Sequence, residues 1–200
     1  MLLLSAGFDV QIKRNKDKKG YSVKVNGKRA MRLRHATSRQ VYKWIDPRDK
    51  QAYAIKLDAV NRHVTHPYVR QSSDEIVIYY TRIKAEDKQY FPQMVAGRVG
   101  NTVSYPARVC RCASRGGMFC GCPHPLPDGA DVGFVMQPFY KFCKPDSREQ
   151  AKIVEGLISR YRLRDLTVWY DKYDDDCEHI SAGNWTTLPN GKPLIYDFGV

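Results

Sequence analysis

Apolar and polar residues alternate with a period of two through the first quarter of the chain. Phe8, Val10 and Ile12 alternate with Asp9 and Gln11, and Tyr21, Val23 and Val25 alternate with Ser22 and Lys24. This spacing puts the apolar side chains on one face of a strand and the Lys and Arg residues toward water. Asn26–Gly27 is a two-residue hairpin signal, and the chain returns through Lys28 to Arg34. Gln40 to Ile45 predicts another strand, Asp46 to Lys50 a turn, and Ala52 to Leu57 the returning strand. The amino-terminal third therefore reads as an antiparallel sheet.

The period changes near Ser72. Ser72 and Glu75 satisfy the S-x-x-E capping box, and Ile76, Tyr79, Tyr80 and Ile83 follow at helical spacing. Residues 90–109 read as strand and turn, and Gly133 to Gln137 as an apolar strand ending at Pro138. Ser147 with Gln150 starts a second helix, whose apolar face is Ile153, Val154, Leu157, Ile158 and Tyr161. Near the end, Asn190–Gly191 turns the chain into a short strand, Pro193 to Tyr196, which delivers Asp197-Phe198-Gly199. An acidic residue after a strand is a means of aiming a carboxylate into a cleft. The alternative is a strand end running into a flexible tail.

Composition narrows the class. Two hundred residues with 42% hydrophobic content supply a real core. The opening Met1-Leu2-Leu3-Leu4 is too short for a signal peptide or a membrane span, so a soluble cytoplasmic protein is expected, with no membrane partner. The net charge is +12, with 14 Lys/Arg against 4 Asp/Glu in residues 1–50 and 6 against 8 in residues 151–200. The basic end suits an acidic partner, nucleic acid or phosphate, or is simply a solvated surface.

The order of these elements resembles the protein kinase fold: a strand with an internal Lys, a helix with a Glu, a hinge-like strand, a helix, an Asn and a D-F-G. The resemblance covers roughly residues 30–200. Its implied fold class is α+β, with an antiparallel amino-terminal sheet, one helix placed like the family's αC, and a truncated carboxyl-terminal lobe. The implied domains are 1–137, carrying a Cys-rich insert at 108–124, and 138–200. The resemblance makes Lys56 the phosphate-binding lysine, Glu75 its partner, and Asn184 and Asp197 the ligands of Mg. The backbone of Phe134 to Phe139, including Gln137, would face the adenine of ATP. The compact form looks most like the small kinase-like proteins encoded by bacteriophages.

The chain also departs from that pattern. Where the family has loop glycines, LRHATSRQVYK places Arg34, Ala36 and Arg39, so phosphate contact falls to Arg34 or Arg39 or is lost. Five residues before Asn184, where the family has its catalytic Asp, stands His179. His179 is a candidate base, since its ordinary pKa is near 6.5. Glu178 or Asp176 is an alternative, as is the absence of a base. The chain ends two residues after Phe198, so a substrate platform is expected from a partner, from an unusual insert, or not at all.

Cys110, Cys112, Cys120 and Cys122 form a C-x-C…C-x-C cluster. Four thiolates in tetrahedral reach favour Zn, with free or redox thiols and an iron–sulfur cluster as alternatives. Three functions stay open at this level. One is a pseudokinase-type binding or regulatory module that retains a nucleotide–Mg framework. Another is an active ATP–Mg-dependent protein phosphotransferase. The third is a basic, zinc-bearing nucleic-acid-binding module that uses residues 11–39, where Tyr21 interleaves with Lys and Arg. A protein partner or substrate belongs to the first two.

Overall fold

The period-two stretches form strands, and they form them in two sheets. The structure, a computed structural model, describes residues 3–5, 7–16, 20–33, 39–60, 71–100, 129, 132–140, 148–163 and 185–198. The chain divides into two compact units, Met1–Ile76 with Met94–Phe139, and Val77–Gln93 with Tyr140–Val200. The architecture is α+β with antiparallel sheets and few helices.

In the first unit the strands are β1 (Leu3–Ser5), β2 (Val10–Arg14), β3 (Tyr21–Val25), β4 (Lys28–Arg29), β5 (Met31–Arg32), β6 (Arg39–Ile45), β7 (Ala52–Val60), β8 (Ala96–Arg98) and β9 (Phe134–Pro138). Strands β2, β3 and β4 make one antiparallel sheet. The other sheet runs in the order β1-β8-β9-β7-β6-β5. The single amino-terminal sheet expected from the alternation is thus two. The chain changes sheets at Ala30, between two strands of two residues each. The Asn26–Gly27 turn is where the pattern puts it, with φ of 49° and 75° at its two central residues, the geometry that suits the right-handed twist of a hairpin. Asn26 also accepts the Asp9 N–H through Oδ1 at 2.8 Å.

The two sheets pack face to face. Tyr21, Val23 and Val25 of the small sheet meet Tyr42, Trp44, Ile55, Leu57, Phe134 and Met136 of the large one. Phe8, Trp44 and Tyr53 form an aromatic cluster at ring separations of 5.3–6.0 Å. The opposite face of the large sheet receives the first turns of helix α1 (Gln71–Thr81).

α1 begins at Gln71, near its expected start, but its cap differs. Ser72 does not close a capping box with Glu75, because its N–H goes to Asp58 Oδ1 at 2.6 Å. Its buried face also differs: Ile76, Ile78 and Tyr79 are buried, whereas Tyr80 is 42% exposed.

The second unit holds α2 (Arg148–Tyr161), the hairpin β10 (Trp185–Thr187) and β11 (Pro193–Ile195), and a 3₁₀ helix over Ala85–Tyr90 that the pattern did not predict. Val154, Leu157, Ile158 and Tyr161 of α2 are buried as expected, but Ile153 is exposed, and Ala151 is buried beside them. Ser147, the expected cap, lies outside the described residues. The Gln150 amide donates to the Gly191 carbonyl at 2.7 Å, and its Oε1 accepts from Thr187 at 2.8 Å, which ties α2 to the hairpin. The hairpin loop is longer than two residues. It closes between Leu188 and Lys192, and Gly191 takes φ of 78°.

A polar cluster organises this unit. Asp87 Oδ2 accepts from Tyr161 Oη at 2.5 Å and from Arg160 Nη1 at 2.6 Å. The Tyr161 hydroxyl bond, then Arg160, hold the Asp87 carboxyl below the usual aspartate range. A lowered folded pKa means that the stabilisation is present above the unfolded value near 3.9 and is lost as pH falls through the folded value. Wild-type protein should therefore lose stability below about pH 4 more steeply than Asp87→Asn. Urea melts between neutral pH and pH 3 check this, and parallel pH profiles would contradict it.

Candidate functional site

The two faces of β7 carry different chemistry. Ile55 and Leu57 belong to the apolar core between the sheets. Lys56 and Asp58 alternate with them and are also buried, but they turn toward α1. A strand in the middle of a sheet can hold a Lys and an Asp on one buried face only if each finds a partner.

Lys56 finds Glu75. Nζ lies 3.5 Å from Glu75 Oε1, and the side chains are 5% and 0% exposed. Asp58 finds the amino terminus of α1. Its Oδ1 accepts the N–H groups of Ser72 at 2.6 Å and Ser73 at 2.9 Å. Its Oδ2 accepts the Ser73 hydroxyl, and Ser73 Oγ in turn accepts the Gly100 N–H at 2.9 Å. The first N–H groups of a helix lack intrahelical acceptors and carry partial positive charge, so a carboxylate there is favoured. Asp58 is thus a helix cap delivered from a strand fourteen residues away. The approach is close. A Cβ on Gly133 would strike Asp58 Oδ2 and Ser73 Oγ and lie 2.7 Å from the Gly100 nitrogen.

The two contacts set the helix in complementary ways. Asp58 holds its first turn, and Lys56 engages Glu75 about one turn on. Helix and strand are thereby fixed in register, with the ammonium held at a defined point on the face of the sheet.

Other expected site residues fall as follows. Gln137 is buried on β9, opposite Ala54 of β7, while Val135 stands opposite Lys56. Arg39 opens β6 opposite Val60, at a break in the register. Asp197 is in the second unit, half-buried, immediately after β11. Its neighbour Phe198 is fully buried, with its ring 5.0 Å from that of Phe91. The end of β11 on one side and Phe198 on the other therefore anchor the Asp197 backbone, so this segment is not a frayed tail. Burial, with the Asp197 charge beside it, pushes the Tyr196 hydroxyl up to about 12, which keeps it protonated at neutral pH. Arg34, Asp176, Glu178, His179, Asn184, Cys110, Cys112, Cys120 and Cys122 lie outside the described residues.

Among the described residues no three His, Cys, Asp or Glu side chains cluster to hold a metal. A magnesium ion bound with nucleotide needs only one or two protein carboxylates, with phosphates and water completing its shell. Asp197, with hard oxygen donors at an anchored position, fits as one of these. No helix among the described residues is long and apolar enough to cross a membrane. Comparison of the chain with protein-family models, with curated proteins and with solved structures returns no match.

Sequence reasoning missed Asp58. The signal was present: Lys56-Leu57-Asp58 puts two opposite charges on the same face of an otherwise apolar strand, a short distance before a helix start. Charges spaced by two on a buried strand call for partners on whatever covers that face.

Proposed function

We propose that the protein is a degenerate kinase-like module of the pseudokinase type, which binds a nucleotide with Mg and acts through binding or regulation. The buried Lys56–Glu75 pair between a central strand and the following helix is the observation that carries this reading. In the resemblance noted above, a lysine held in this way presents its ammonium to the α- and β-phosphates. Here Glu75 orients Lys56, and the Asp58 cap holds the turn that carries Glu75. Asp197, with Asn184, would hold the metal, and Mg when bound supplies charge neutralisation on the phosphates. The backbone of β9, which pairs with the Lys56 strand, would serve the base.

Two sequence features favour binding over phosphotransfer. The loop that would close on the phosphates has Arg34, Ala36 and Arg39 where glycines let the backbone approach, and His179 replaces the catalytic carboxylate. Zn at Cys110, Cys112, Cys120 and Cys122 is a separate, structural proposal.

Thermal-shift titration tests the reading. At a hundredfold excess over the dissociation constant, ATP with Mg should stabilise the wild type by about 2.7 kcal/mol. For a chain of this size that is a shift of about 5–10 °C. The shift should vanish with EDTA and in Asp197→Ala. A wild type indifferent to ATP and Mg would overturn the proposal. Transfer of labelled phosphate by the wild type, lost in Lys56→Met, would replace the pseudokinase reading with the active enzyme.

A further inference from the structure

A second polar feature of the first unit stands apart from the Lys56–Glu75 pair. Beside the small sheet and the edge strand β5 lies an open groove of about 410 Å³, lined by Asn15, Tyr21, Ser22, Arg29, Arg32 and Tyr42 among others. Among the described residues no acidic side chain lines it. Its basic groups converge. A Cβ on Gly20 would lie 3.2 Å from Arg32 Nη1 and 3.5 Å from Asn15 Nδ2. Arg29 and Arg32 both line the groove, as does Tyr42.

The groove continues onto a basic sheet face. Gln11, Lys24 and Arg29 stand opposite one another across β2, β3 and β4, and Lys13 stands opposite Ser22. Lys13, Lys24 and Arg29 are exposed. Like charges directly opposite on a sheet destabilise it, so the Lys24–Arg29 pair costs stability that an anion would restore. Asp9, at the head of this face, accepts a hydrogen bond from Gln11 at 2.8 Å. Over residues 10–32 the sequence has nine Lys/Arg and one Asp.

We propose that this groove and the adjoining face of β2–β4 bind the phosphate backbone of single-stranded nucleic acid. A lone phosphate would engage only the two arginines. An array of cations about 5 Å apart from strand to strand suits a polymer with regularly repeated charge. Base stacking is not part of the contact. Tyr21 and Tyr42 line the groove but are only 3% and 2% exposed. Tyr42 Oη is pinned 2.6 Å from the Tyr21 carbonyl oxygen and 2.8 Å from Gln40 Oε1. Tyr21, which interleaves with basic residues in the sequence, therefore belongs to the core. With no ring face offered, binding discriminates little between base sequences.

Fluorescence anisotropy with labelled oligo(dT) and oligo(dA) of about 20 nucleotides, titrated between about 50 and 200 mM salt, tests the proposal on the full chain. Three or four neutralised phosphates give a slope of log K against log salt near −2 to −3. Arg29→Ala/Arg32→Ala should weaken binding at least tenfold and reduce the slope by about 1.4, with Lys13→Ala/Lys24→Ala behaving alike. Arg82→Ala/Lys152→Ala, which removes two exposed charges elsewhere, should change neither by as much. Circular dichroism confirms the fold of each variant. Unchanged slopes in the groove variants, an equal loss in the control, a preference above tenfold for one oligonucleotide, or binding to anionic vesicles but not to oligonucleotide would each overturn it.

Discussion

Lys56→Ala is expected to cost about 3–5 kcal/mol of folding stability, the cost of leaving one charge of a buried pair without its partner. Glu75 is fully buried, and Lys56 is the cation beside it. Removing the ammonium strands a carboxylate that water does not reach. Replacing both, as Lys56→Met/Glu75→Leu, removes the stranded charge and should restore most of the loss, because an apolar pair of similar volume is often neutral or better. Urea denaturation of the wild type, the single variant and the double variant gives the comparison. The double variant also separates stability from function. It should fold yet show no thermal shift with ATP and Mg. A cost below about 1 kcal/mol for Lys56→Ala would mean that Glu75 is not held as a buried ion.

Asp58→Ala should be nearly as damaging, at about 3 kcal/mol or more, because it orphans three buried donors at once. These are the Ser72 and Ser73 N–H groups and the Ser73 hydroxyl. Asp58→Asn keeps an acceptor at the Oδ1 position but puts an amide NH₂ where Oδ2 accepts the Ser73 hydroxyl and loses the charge that faces the helix dipole, so it should cost about 1–3 kcal/mol, less than Asp58→Ala. Ser73→Ala in the Asp58→Ala background should cost much less than in the wild type, since the two residues share one network. Amide exchange of the first turn of α1 reports the mechanism directly: it should accelerate in Asp58→Ala before the rest of the helix does. Uniform acceleration along the helix would assign Asp58 a global role in place of a cap.

These two residues also show how far sequence reaches. The alternation of β2, β3, β6 and β7, the Asn26–Gly27 turn and the existence of both helices were legible because they are local: side-chain period and turn chemistry need no partner. The same locality explains the errors. Ser72 and Glu75 have the spacing of a capping box, but a better acceptor for the Ser72 N–H arrives from Asp58 on another element. Tyr80 and Ile153 lie at helical spacing with buried neighbours, yet both are exposed, because the width of a buried stripe depends on what covers it. Tyr21 interleaves with basic residues in the sequence, but its ring belongs to the core between the sheets.

The sequence by itself determined the alternating strands, the Asn26–Gly27 turn, the two α-helices and an uneven positive charge, because propensity, periodicity and ionisation belong to residues and their near neighbours. Only the tertiary structure decided that one run of alternation splits into two facing sheets at Ala30. It also decided that Arg29 and Arg32 share a groove, that Asp58 caps α1 and that Phe198 is anchored on Phe91, and it buries the Lys56–Glu75 pair that the resemblance implies. The physical reason is common to the last three. A buried charge, an orphan N–H or an apolar ring is stabilised by whatever the fold brings to it, and that partner is distant in sequence.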